Sequence, residues 1–305
     1  MNYDVLILGA GPAGLTAAIY ASRARLATLL VEKTFPGGQL MMCAHVENYP
    51  GYLGGPGMQL SEIMRQQAEK FGTESKIAEI TNVDFSGREK VVYTAENEEI
   101  RSKTVILCLG AKPRRLNVPG ETEFSGKGVS YCAVCDGALF KDKTIAVVGG
   151  GDTAVEDAIF LTRYAPVVHL IHRRDKFRAQ RIIQERALAN PSIKVHWNTV
   201  VKEISGKESV DYLVLENVLT GERSCLATDG VFILIGNEPN TRMLEGQIEL
   251  DDLGYVVTDE NMQTNVPGVF AAGDVRRKSL RQIITACADG AIAAVAAEKY
   301  IEALE

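Results

Sequence analysis

No apolar run in this 305-residue chain is long enough to span a bilayer. A surplus of positive charge is missing too. The 33 basic residues against 39 acidic ones leave a net charge of −6. That removes the electrostatic reason to expect nucleic acid or an anionic membrane as partner. Met1 leads straight into a strand-like Tyr3–Leu8, without the basic region and cleavage site of a signal peptide. Six cysteines are too few for a disulfide framework at this length. A close pair is then expected to be redox-active or metal-binding, and the expectation is a cytoplasmic enzyme. Zinc at a Cys-x-x-Cys pair needs two further ligands. Cys43, Cys108, Cys225 and Cys287 each stand alone, so no metal is expected.

What is present begins at the first strand. Tyr3–Leu8 runs directly into Gly9-Ala10-Gly11-Pro12-Ala13-Gly14, and Leu15 to Arg25 reads as an alanine-rich helix. A second strand, Thr28 to Val31, ends in Glu32. Strand, glycines, helix and acid together form a dinucleotide fingerprint. Gly9 is expected to make the tight turn, Gly11 to admit a pyrophosphate, and Gly14 to let helix pack on strand. Glu32 is placed to bond ribose hydroxyls. Gly38-Gln39-Leu40 and the loop around Asn48 follow where a long cofactor would need walls. Ser61 to Phe71 reads as a capped helix and Ile77 to Thr94 as an antiparallel meander. Val105 to Leu109 reads as a strand, with Cys108 a buried filler.

The pattern then repeats. Thr144–Val148 leads into Gly149-Gly150-Gly151-Asp152-Thr153-Ala154, a helix from Val155 to Tyr164, and a strand from Val167 to Ile171. The position held by Glu32 in the first copy falls here on His172, followed by Arg173, Arg174 and Arg178. An acid repels a ribose 2′-phosphate, whereas arginines bind it through paired charge-assisted hydrogen bonds. The second copy is thus expected to take NADPH rather than NADH. Val195–Ser205 and Asp211–Leu226 again alternate like a meander, and Gly230–Ile235 reads as a strand. Its Gly236-Asn237-Glu238-Pro239 matches Gly110-Ala111-Lys112-Pro113.

Two such units imply two dinucleotides, one flavin and one nicotinamide. Val266–Val275 reads as a strand closing on Gly273-Asp274, and Gln282 to Leu304 as a long helix. Asp274 is placed to bond a polar part of the flavin cofactor. The helix start at Arg281-Gln282-Ile283 would point its positive end at the flavin ring. The expected fold is α/β, with two Rossmann-like dinucleotide-binding domains of parallel sheet plus antiparallel meander, the second inserted in the first. Residues 1–115 and 245–305 would form the FAD domain and 116–244 the NADPH domain.

Inside that second domain, just ahead of its glycine loop, stand Cys132-Ala133-Val134-Cys135-Asp136-Gly137. Two thiols at this spacing can close on each other, and a dithiol beside a reducing nucleotide suggests electrons delivered to sulfur. With Gly9–Gly14, Gly38–Leu40, Glu47-Asn48, Gly149–Ala154, His172–Arg174 with Arg178, Gly273-Asp274 and Arg281-Gln282, the chain resembles the bacterial-type, low-molecular-weight thioredoxin reductases. The match runs in order over nearly the whole chain. One departure is Met41-Met42-Cys43-Ala44, where the family is often threonine-rich; Cys43 is read as a filler.

The resemblance implies a homodimer that reduces the disulfide of thioredoxin, or of a thioredoxin-like protein, with NADPH through FAD. It also implies roles: Cys135 facing the flavin, Cys132 attacking the partner's disulfide, and Asp136 serving the thiols as acid or base. Rival functions are a ferredoxin-fed flavin reductase, a dithiol oxidase, and a nucleotide-binding sensor without catalysis. The first should lack the second nucleotide loop and its arginines, the second would not need Arg173, Arg174 and Arg178, and the third would not need the dithiol.

Overall fold

The computed structural model describes residues 2–43, 46 and 48–304, and for Asn2, Met42, Val134 and Cys135 the backbone only. The chain forms two compact units, Met1–Lys112 with Glu238–Glu305, and Pro113–Asn237.

In the first unit, β1 (Asn2–Leu8) is followed by α1 (Pro12–Arg23) and β2 (Thr28–Glu32). Helix α1 starts earlier than the apolar pattern suggests because Pro12, its φ already helical, sits in the first turn where a missing N–H costs nothing. It ends before Arg25, whose φ of 64° is left-handed. Helix α2 (Gly57–Lys70) likewise begins ahead of the expected Ser61. Its N-cap is Pro56, and the Leu40 carbonyl lies 2.1 Å from where a Cβ of Gly57 would be, so only glycine fits there. Ser61 is buried, its hydroxyl 3.4 Å from the Pro36 carbonyl.

The expected meander over 77–94 is the antiparallel pair β4 (Ile80–Asp84) and β5 (Lys90–Thr94); β3 (Glu74–Ile77), which precedes it, pairs parallel with β2. β6 (Glu99–Leu107) starts well before the predicted Val105. Its first half pairs antiparallel with β5, and the strand runs parallel to β1. β7 (Ala111–Pro113) leads out of the unit.

The second unit opens with β8 (Val129–Ser130) and the short α3 (Ala133–Asp136). Next come β9 (Thr144–Gly149), α4 (Asp152–Leu161) and β10 (Val167–Ile171). Helix α5 (Arg181–Ala189), which the sequence pattern did not reveal, buries only Ile183 and Ala187. β11 (Ile193–His196) is a parallel neighbour of β10 rather than part of the meander. The meander proper is β12 (Thr199–Gly206), β13 (Val210–Asn217) and β14 (Arg223–Ala227), and β15 (Gly230–Leu234) completes the unit.

β16 (Asn237–Pro239) pairs with β7 as a two-stranded ribbon where the chain crosses. The return adds β17 (Val269–Ala271) beside β6 and α6 (Ile283–Glu302). The expected strand over 266–275 is therefore short, because Gly273–Val275 turns as a 3₁₀ segment.

Both units hold five parallel strands in the same arrangement, β3-β2-β1-β6-β17 and β11-β10-β9-β15-β8. These are two Rossmann-like layers, the second inserted in the first. The fifth strand differs in origin: it arrives last in the first unit and first in the second. Leu6, Ile7, Ile106, Phe270 and, in the other unit, Ile145, Leu170 and Phe232 are almost fully buried. Each such side chain is worth about 1.5–3 kcal/mol of burial, so the sheets form rigid platforms for the loops at their ends.

Candidate functional site

At the C-terminal end of β1, close packing dictates the glycines. Gly9 has φ 102°, and a Cβ there would lie 2.3 Å from the Cys108 carbonyl oxygen. A Cβ on Gly14 would lie 1.8 Å from the Gly9 carbonyl. Gly11, the N-cap of α1, has nothing within 4 Å of its absent side chain, so its backbone faces open space. Pro12 and Ala13 form the first turn behind it. Glu32 is locked from behind: Ala10 N–H donates to its Oε2 at 2.8 Å and Lys33 N–H to Oε1 at 2.8 Å.

The surrounding segments are tied to that loop. Gly37 N–H donates to the Ala10 carbonyl at 2.7 Å, leading into the turn Gly38–Met42. Gln39 Nε2 donates to the Ala111 carbonyl at 2.7 Å and Leu40 is buried. Cys43 packs against the core with its sulfur 3.7 Å from the Gln39 carbonyl. Asn48 Nδ2 donates to Gln282 Oε1 at 3.1 Å; Glu47 lies outside the described residues. Gln282 caps α6 in a reciprocal box with Thr285, so Ile283 opens the helix.

Gly290 of α6 lies against α1, where a Cβ would be 2.1 Å from the Ala13 carbonyl. This brings Gly273-Asp274 close to the first loop, with a Gly273 Cβ only 2.9 Å from that of Ala13. Two buried polar atoms there have no hydrogen-bond partner among the described residues, Asp274 Oδ1 and Arg281 Nε. Burial pushes the Asp274 carboxyl up, while Lys278 and Arg281 pull it down and Asp289 pushes it up again. Arg281 lies over the Tyr255 ring at 4.1 Å.

The second unit repeats the plan with different chemistry. A Cβ on Gly149, φ 157°, would lie 2.3 Å from the Leu234 carbonyl, as Gly9 does with Cys108. Gly151, the N-cap of α4, again faces open space. Asp152, Thr153 and Ala154 form the first turn, and Asp152 Oδ1 accepts from Gln180 N–H at 2.7 Å.

His172 is buried, its Nε2 3.1 Å from the Lys176 carbonyl. Its ring lies 2.2 Å from where a Cβ of Gly150 would be, so it braces the loop from beneath. Burial lowers its pKa against contacts with the Lys176 and Gly149 carbonyls. Arg173, Arg174 and Arg178 are exposed, and among the described residues none makes an ion pair. The Arg178 N–H donates to the Gly150 carbonyl at 2.7 Å, tying the basic segment to the loop.

The cysteine segment follows β8, the place that Gly273-Asp274 holds after β17 in the other unit. Cys132 is disulfide-bonded and half-buried; the Cys135 side chain lies outside the described residues. Asp136 Oδ2 accepts from the Ser130 hydroxyl at 2.6 Å, and Ser130 Oγ accepts from Cys132 N–H at 3.1 Å. Sequence reasoning missed Ser130, because its relation to Asp136 depends on the chain turning after β8. Tyr131 donates to Glu121 at 2.8 Å, and burial with that carboxylate pushes its hydroxyl to about 12. Gly137 is glycine because a Cβ would meet Leu161 of α4 at 2.9 Å.

Asp157, on α4, is a further carboxyl of the second unit. Burial, aided by the Glu156 charge, pushes its carboxyl up to about 7. No described helix is long and apolar enough to cross a membrane.

Residues 3–290 match the family described as pyridine nucleotide-disulphide oxidoreductase. Thioredoxin reductase from Peptoclostridium acidaminophilum is 49% identical over 99% of this chain and 98% of its own. That of Bacillus subtilis is 49% identical over 99% and 96%. Among solved structures, Lactococcus lactis thioredoxin reductase superposes with a TM-score of 0.92 at 45% identity, over 99% of both chains.

Proposed function

The chain belongs to the pyridine nucleotide-disulphide oxidoreductase family, and from its full-length likeness to thioredoxin reductases we infer a thioredoxin-disulfide reductase. The net reaction we propose is NADPH + H⁺ + thioredoxin disulfide → NADP⁺ + thioredoxin dithiol. The observation that carries it is the disulfide-bonded Cys132 in the same unit as the Gly149–Gly151 loop and the unpaired Arg173, Arg174 and Arg178.

The first unit fits FAD. Among the described residues, buried Asp274 Oδ1 and Arg281 Nε have no hydrogen-bond partner and the Gly11 backbone is open. FAD bound there supplies a two-electron relay between the nicotinamide and the disulfide. Gly9, Gly11, Pro12, Ala13 and Gly14 take its pyrophosphate, and Glu32 takes its ribose. Gly38, Gln39, Leu40 and Asn48 wall it, Gly273 and Asp274 bind its polar chain, and the Arg281-Gln282-Ile283 helix start favours negative charge on its ring.

In the second unit, Gly149, Gly151, Asp152, Thr153 and Ala154 cradle the NADPH phosphates, and His172 orders the segment whose Arg173, Arg174 and Arg178 bind the 2′-phosphate. Cys132 attacks the thioredoxin disulfide, Cys135 is its partner thiol, and Asp136 holds the exchanged proton, steered by Ser130. The domain limits of this reading are residues 1–115 and 245–305 for FAD and 116–244 for NADPH, each crossing a few residues later than that of the compact units.

The protein is proposed to act in the cytoplasm as a homodimer. Ile284, Ile292 and Val295 form an exposed apolar stripe on α6, beside Tyr20 of α1, that a second copy would cover.

The test is to add NADPH, then NADH, to the yellow protein without air, followed by oxidised thioredoxin. Bleaching by NADPH and recovery of colour on adding thioredoxin is the expected result. No bleaching by either nucleotide overturns the reading.

A further inference from the structure

Asp289, in the middle of α6, is a buried carboxylate that the reaction above does not use. It accepts from Arg276 Nη1 at 3.0 Å, from Lys278 Nζ at 2.6 Å and from Gly273 N–H at 3.1 Å. All three charged side chains are withdrawn from water, with exposures of 13% for Arg276, 8% for Lys278 and 9% for Asp289. Arg276 is further fixed by Thr258 Oγ1 at 2.9 Å. In the same loop, Asp274 feels the Lys278 charge, yet its buried Oδ1 has no hydrogen-bond partner among the described residues.

Lys278 therefore stands within the influence of two carboxylates and bonds one of them. A buried ammonium does not remain unpaired, because desolvation without a partner costs several kcal/mol. Without the Asp289 charge, Asp274 is the acid left to take it, and that would occupy the oxygen otherwise open to a ligand hydroxyl.

We propose that Asp289 is a positioning residue for the flavin site: it sequesters Lys278, keeping Asp274 open to the polar chain of the cofactor. The inference rests on the FAD reading of the first unit. Arg276 shares the Asp289 carboxylate but is held in place by Thr258, so Lys278 is the cation set free when Asp289 loses its charge.

The experiment follows flavin release from the purified holoprotein by the fluorescence regained on dilution, for wild type, Asp289→Asn, Lys278→Met and the double variant. Asparagine keeps an oxygen for Gly273 N–H and removes only the charge. Release from Asp289→Asn is expected to be at least about tenfold faster than from wild type. Release from the double variant should return to within about threefold, as in Lys278→Met alone, because no ammonium remains to compete.

Release from Asp289→Asn at the wild-type rate overturns the proposal. So does a double variant that loses flavin as fast as Asp289→Asn, or both failing to fold, which would make Asp289 a structural staple. If the single variant fails to fold and the double variant folds and retains flavin, Lys278 is confirmed as what Asp289 restrains. A wild-type protein holding no flavin would instead remove the FAD reading itself.

Discussion

The Ser130 hydroxyl donates to Asp136 Oδ2 across 2.6 Å while its oxygen accepts the Cys132 N–H at 3.1 Å. One small side chain thus fixes both the first cysteine of the pair and the acid that follows the second. Short hydrogen bonds to a carboxylate are among the strong ones, so Asp136 is held in one orientation beside the cysteine segment.

Replacing Ser130 with alanine leaves Asp136 free to rotate and the Cys132 amide without its partner. Turnover with thioredoxin is expected to fall about tenfold, the equivalent of about 1.4 kcal/mol in the barrier. NADPH oxidation by an artificial dye, which bypasses the dithiol, should stay unchanged. Parallel assays with the two acceptors decide it, and an equal loss in both would place Ser130 in folding rather than in exchange.

The arginines and His172 separate by burial. Arg173 and Arg174 are exposed beside the Gly149–Gly151 loop, whereas His172 lies beneath it. Arg173→Ala and Arg174→Ala should each raise KM for NADPH by about tenfold or more and leave that for NADH nearly unchanged, since only NADPH carries the 2′-phosphate. Equal weakening toward both nucleotides would remove the phosphate assignment.

Much of this could be read from the chain, for a local reason. Gly14 is fixed by the Gly9 carbonyl, and Gly149 partly by Ala154, within a strand–loop–helix unit that is contiguous in sequence, whereas the Cys108 and Leu234 carbonyls that hem in Gly9 and Gly149 come from distant segments. The doubled Rossmann-like plan was legible on the same ground. Ser130 beside Asp136, Asp289 beneath Gly273, and the fifth strand of each sheet depend on pairings between distant segments. Spacing carries no trace of those. β11 alternates like a meander strand but pairs parallel at a sheet edge. Helix α5 buries two residues and so offers almost no periodic signal.

Asp157 gives a pH dependence whose sign is unusual for a carboxyl. Its folded value of about 7 lies above the ordinary carboxylate value, so the folded protein binds more protons through that interval. Stability should fall as pH rises from about 4 to about 7, with the full cost present above 7. Asp157→Asn removes the cost. A gain on the order of 2–4 kcal/mol is expected at pH 8, since a tenfold difference in proton affinity is about 1.4 kcal/mol. It should vanish near pH 4. Denaturant midpoints at the two pH values check it, and a gain larger at pH 4 would contradict the assignment.

The second glycine loop allows fold and ligand binding to be pulled apart. Gly149 and Gly151 are two residues apart, yet only Gly149 is hemmed in by protein. A Cβ there would meet the Leu234 carbonyl at 2.3 Å, and its φ of 157° is disfavoured for other residues. Gly151, with φ −90° and nothing within 4 Å, accepts a methyl group without strain. Gly149→Ala should therefore destabilise the protein whether or not nucleotide is present. Gly151→Ala should melt within about 2 °C of wild type, as expected for a change below about 0.5 kcal/mol. Its KM for NADPH should nonetheless rise severalfold, because the added methyl stands where a phosphate must approach the backbone. Thermal melts set beside NADPH kinetics separate the two glycines. A Gly151→Ala protein with wild-type KM would mean that the nucleotide does not approach this loop.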